Sequence, residues 1–104
     1  MADDYAGDRY WTLRPADVTD VIRAAGTPVY VRKIVLYPNA ASDAAVIQEY
    51  GPGGVLRTAM RIKASATLVD LVSIDWGIRG RELNGFVLAS ISASAGLDVY
   101  VGKN

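Results

Sequence analysis

From Arg9 onward the apolar and β-branched residues fall in short runs separated by Gly, Pro or Asn, at the intervals expected of an all-β domain. The runs that read as strands are 10–13, 18–24, 29–37, 44–50, 55–62, 68–75, 86–92 and 97–101. Period two is clearest in two of them. In 55–62, Leu56, Thr58, Met60 and Ile62 share one face while Arg57, Ala59 and Arg61 share the other. In 97–101, Leu97, Val99 and Val101 point one way, leaving Asp98 and Tyr100 on the opposite side. The stretch Leu68-Val69-Asp70-Leu71-Val72-Ser73-Ile74 is apolar on both faces, the pattern of a strand covered on both sides or lying in a subunit interface.

The residues between these runs have turn chemistry. Ala25-Gly26-Thr27-Pro28 and Gly51-Pro52-Gly53-Gly54 supply the positive or fixed φ of tight turns. Pro38-Asn39 ends the longest run, and Asn84-Gly85 suits a type I′ turn or a glycine that opens a strand. Two segments compete for helix. Val18, Val21, Ile22 and Ala25 have helical spacing behind Pro15, and 42–50 begins with a cap-like Ser42-Asp43. Strand is the preferred reading for both. The first is rich in β-branched residues and runs into a hairpin-like connection; the second would leave a helix almost no linker between two strands.

So many short strands in a chain of 104 residues, with glycine and proline mostly between them, predict an all-β, compact antiparallel sandwich, jelly-roll-like, occupying 10–104. Residues 1–9 are small, polar and acidic, with Asp3, Asp4 and Asp8, and read as an N-terminal arm. Their start carries neither the basic nor the apolar stretch of a secretory signal, so synthesis and folding in a cytoplasm are expected. No apolar run approaches the length of a membrane span, and no membrane partner is expected.

Composition narrows the chemistry. The chain has no Cys and no His, which removes disulfides, thiolate nucleophiles, Cys-based metal sites and the commonest general base. Eleven Lys and Arg balance eleven Asp and Glu. Without net positive charge, and with the cations dispersed, nucleic acid is not an expected partner. Zero net charge also weakens repulsion between copies, which favours assembly.

Enzyme motifs are sparse. Gly51-Pro52-Gly53-Gly54 lacks the following Lys-Ser or Lys-Thr of a phosphate loop, and Gly77-Ile78-Arg79-Gly80-Arg81 reads as a basic loop. Asp70 with Asp75, or Asp17 with Asp20, could pair as hydrolytic acids, but a domain this small has little volume for the cleft such chemistry needs. The expectation is no enzyme, no cofactor and no metal. The aromatic residues are the better lead. Tyr5, Tyr10, Trp11 and Trp76 are the candidate partner-binding residues, because Tyr and Trp bury large area at low entropic cost. A carbohydrate- or ligand-binding module with Trp76 or Trp11 as stacking platform is the alternative.

The run Ala24-Ala25-Gly26-Thr27-Pro28-Val29-Tyr30-Val31-Arg32-Lys33-Ile34, with Ala45-Val46-Ile47, Asn84-Gly85-Phe86 and the closing Leu97-Asp98-Val99-Tyr100-Val101, resembles small structural proteins of tailed bacteriophages and prophages. The similarity is one of pattern and spans residues 10–102. It implies a jelly-roll-like virion component, either a capsid decoration (cement) protein or a neck or tail accessory subunit, and brings no catalytic residues. The expected partners are the major capsid protein or other virion subunits. The expected assembly is a homo-oligomer, with a trimer favoured.

Overall fold

The computed structural model describes residues 10–77 and 80–102. Strands β1 (Tyr10–Leu13), β2 (Val21–Tyr37), β3 (Ala44–Tyr50), β4 (Leu56–Lys63), β5 (Val72–Asp75), β6 (Arg81–Ile91) and β7 (Gly96–Val101) are joined by turns and two short 3-10 segments, Pro15–Asp17 and Pro52–Gly54. The all-β, antiparallel expectation holds. The 44–50 segment is strand, as preferred over helix. The rival helix at 18–25 is also absent, but its strand begins only at Val21, after the Pro15–Asp17 turn.

All seven strands belong to one hydrogen-bonded sheet, ordered β1-β7-β2-β6-β3-β4, with β5 also on β2. The long β2 organises it. Along one edge its residues 33–36 pair with β5 and residues 21–31 with β6, while residues 31–37 pair with β7. Strands β1, β7, the second half of β2 and β5 therefore form one row; the first half of β2, β6, β3 and β4 form another. The rows meet through their apolar faces. Trp11 of β1 touches Phe86 of β6 edge to face, and Leu13, Ile34, Leu36, Leu97 and Val99 share a buried cluster with Ile47, Met60, Ile62, Leu83 and Leu88. Bringing two inner faces together removes apolar surface from water at roughly 25 cal/mol per Å².

Four local expectations are corrected. The segments 18–24 and 29–37 are not two strands of a hairpin: residues 24–27 are an irregular excursion within β2, between the pairs Arg23–Phe86 and Pro28–Asn84. Asn84-Gly85 lies inside β6 rather than at a turn or a strand start. Gly85 has φ +78, and a Cβ there would lie 2.6 Å from the Tyr50 ring and 2.9 Å from the Ala24 carbonyl oxygen, so only glycine lets the excursion close against β6. Asn84 ties it down, its Oδ1 accepting from the Gly26 N–H at 2.6 Å while its Nδ2 donates to the Tyr50 carbonyl at 3.0 Å.

The strict alternation expected across 55–62 is broken by a register shift. Ile47 faces Met60 and Gln48 faces Thr58, which leaves Ala59 as the extra residue. Met60 and Ile62 are buried, whereas Leu56 and Thr58 on the far side of the shift are exposed. The fourth correction concerns 68–75, where only Val72–Asp75 is strand.

Candidate functional site

Alternation in β1 and β7 builds a face that looks away from the core. Trp11, Leu13, Leu97 and Val99 go inward, so Tyr10, Thr12, Asp98 and Tyr100 go outward. The strand register then sets Tyr10, Tyr100, Lys33 and Asp75 in one line across four strands. Within that line the Tyr10 and Tyr100 rings stack with centroids 5.4 Å apart, and the Lys33 ammonium lies 5.7 Å from the Tyr100 ring centre. On the same outward face, the Asp98 carboxylate beside Tyr37 holds the phenol above its ordinary pKa, chiefly by its negative charge, then by desolvation and by accepting the hydroxyl hydrogen bond.

A bulge alters the end of this face. In the β2–β7 pairing Val31 faces Val101 and Lys33 faces Tyr100, so Arg32 is the extra residue. Its backbone is fixed from both sides: the Arg32 carbonyl accepts from the Trp76 N–H at 2.7 Å, and the Tyr30 carbonyl accepts from the Gly102 N–H at 2.7 Å. Arg32 and Lys33, neighbours in sequence that regular pleating would send to opposite faces, consequently line one hollow of about 460 Å³ with Tyr10, Asp75, Tyr100 and Val101.

A second exposed feature lies just before β5. Leu68, Val69 and Leu71 are 61%, 58% and 60% exposed, far more than a strand covered on both sides permits. The segment is built rather than frayed at its start, since the Ser65 hydroxyl accepts from the N–H groups of Thr67 and Leu68 at 3.1 and 3.2 Å. Val72 and Ile74 pack against the core, and the segment leads directly into them. Three large apolar side chains within four residues of sequence are thus left mostly in water.

The aromatic candidates separate. Tyr10 is exposed and belongs to the outward face. Trp11 is corrected: at 2% exposure, between the Phe86 ring and the Arg23 guanidinium 4.8 Å from its own, it is a core residue and offers no surface to a partner or a sugar. Trp76 is half-buried against the core, and its backbone positions the Arg32 bulge. Tyr5 and the 1–9 arm lie outside the described residues, as do Ile78 and Arg79 of the basic loop. The acids considered for hydrolysis have local backbone roles where bonds are seen. An Asp17 oxygen accepts from the Arg14 N–H at 2.8 Å, and Asp75 accepts from the Gly77 N–H at 2.7 Å.

Arg32, Lys33 and Tyr100 are not among the partner-binding residues that the sequence singles out. The outward direction of Tyr100 was readable from alternation, but the bulge that turns Arg32 toward Lys33 has no signature in either strand alone. Compared with known proteins, the chain matches no family model, no curated protein and no solved structure.

Proposed function

We propose that this chain is a non-enzymatic structural subunit that works by contact: a capsid decoration protein of a tailed phage, attached to the major capsid protein as a homo-oligomer, a trimer being the favoured form. The observation that carries the reading is the apolar segment Leu68-Val69-Leu71, held outward beside the edge strand β5. Leaving three such side chains in water forgoes burial that a contact with a protein surface recovers. The zero net charge supports close association of copies, because no net repulsion opposes it. The pairing order supports the jelly-roll reading: the rows β1-β7-β2-β5 and β2-β6-β3-β4 match the strand neighbours that an eight-stranded jelly roll would have if its second and third strands ran together as β2.

The test is co-sedimentation of the purified chain with shells assembled from the major capsid protein encoded in the same genome. The chain is expected to pellet with the shells at a fixed ratio to capsid subunits, and a chain left in the supernatant at every ratio overturns the capsid assignment. A saccharide-binding module is favoured only by the Tyr10–Tyr100 pair. On that reading, added saccharides change tyrosine fluorescence and the chain does not bind shells.

A further inference from the structure

The hollow at the end of the outward face holds more positive charge than its surroundings answer. The bulge places Arg32 beside Lys33, two cations against the one carboxylate in the lining, Asp75, which lies opposite Lys33 in register and accepts from the Gly77 N–H. Among the described residues no carboxylate forms an ion pair with Arg32 or Lys33. The rest of the lining is aromatic and apolar: the stacked Tyr10 and Tyr100 rings and Val101. A matching occupant is an extended segment carrying closely spaced carboxylates and an aromatic ring.

The chain itself contains one. Residues 1–9 read Met-Ala-Asp-Asp-Tyr-Ala-Gly-Asp-Arg, with Asp3, Asp4 and Asp8 around Tyr5, and they join the described structure at Tyr10, a wall of the hollow. Asp4 and Asp3 lie six and seven residues before Tyr10, an extended reach of about 20–25 Å, close to the two shorter dimensions of the domain, 27 and 25 Å. The segment can therefore reach the hollow of a copy packed directly beside its own. We propose that this hollow is a docking site for the N-terminal segment of a neighbouring copy of the chain, with Asp3 and Asp4 meeting Arg32 and Lys33 and Tyr5 joining Tyr10 and Tyr100.

This proposal rests on the reading of the chain as a self-associating subunit and names the residues that exchange. Where a copy donates its segment to one neighbour and receives one from another, the contact is head-to-tail, the kind that closes into a ring such as a trimer when the rotation between copies allows. Charge-assisted contacts of this kind set which surfaces meet, and putting like charges together opposes the contact strongly.

The test uses two charge-reversed full-length chains, Arg32→Glu/Lys33→Glu and Asp3→Lys/Asp4→Lys, followed by sedimentation velocity. Each alone is expected to raise the dissociation constant of the assembly about tenfold or more. A third chain carrying all four substitutions is expected to recover assembly, because its reversed segment fits the reversed hollow of the next copy. Rescue in the combined chain also excludes misfolding as the cause of either loss. An assembled wild type whose mass survives both reversals, or a combined chain that fails to recover, overturns the docking site while leaving self-association intact. A monomeric wild type overturns both readings, and one whose residues 1–9 are nonetheless protected from proteolysis shows each hollow filled by its own chain.

Discussion

Trp11 on β1 meets Phe86 on β6 edge to face, with ring centroids 5.0 Å apart and ring planes at 74°, and this contact bridges the two rows of strands. Both rings are buried, so removing one leaves a cavity that the facing row fills only by moving. Trp11→Ala is expected to destabilise the chain by about 3–5 kcal/mol. Urea unfolding monitored by circular dichroism measures this. A cost comparable to that of an exposed substitution contradicts the placement of Trp11 in the core.

Two glycines with similar backbone angles separate the cost of positive φ from that of lost space. Gly26 has φ +85 and nothing within 4 Å of a Cβ, whereas Gly85 has φ +78 with the Tyr50 ring and two backbone oxygens within 3.0 Å. Gly26→Ala is expected to cost about 1 kcal/mol, from the backbone alone. Gly85→Ala adds a clash and is expected to cost about 3 kcal/mol. Unfolding midpoints at unchanged slope give both values, and equal costs contradict the close packing of the excursion on β6.

The Tyr37–Asp98 pair titrates with a defined sign. The Asp98 charge raises the Tyr37 pKa in the folded chain, so the protonated phenol is the form the fold favours. The stabilisation is fully present below the unfolded value of about 10 and is lost as pH rises through the higher folded value. Tyrosinate absorbance in the wild type is expected to show a component titrating above the ordinary phenol range. Asp98→Asn returns it toward that range, and identical curves for the two chains contradict the pairing.

The sequence made the strands that alternate cleanly readable. In 97–101 the inward Leu97 and Val99 and outward Asp98 and Tyr100 follow directly from period two. What escaped were register shifts, because a bulge is a property of two strands. The extra Ala59 turns Leu56 out of the core, and the extra Arg32 turns a second cation into the hollow. The apolar 68–71 stretch misled in another way. Hydrophobicity predicted coverage on both sides, which the interface alternative preserved, but the fold places Leu68, Val69 and Leu71 in the open. Trp11 was a candidate for contact on residue type alone, and its neighbours in space, Phe86 and Arg23, are distant in sequence.

The contact role turns on the exposed apolar segment, and Leu71→Asp isolates it. Leu71 is 60% exposed, so the folded monomer is expected to keep its stability within about 0.5 kcal/mol. The most direct measurement is sedimentation velocity of the wild type beside Leu71→Asp, with urea unfolding of each as the check on folding. The wild type is expected to sediment as an oligomer, a trimer being three times the 11.1 kDa chain, and Leu71→Asp as an equally well-folded chain of 11.1 kDa. A monomeric wild type, or an oligomer indifferent to the charge at Leu71, contradicts the claim that assembly buries this segment.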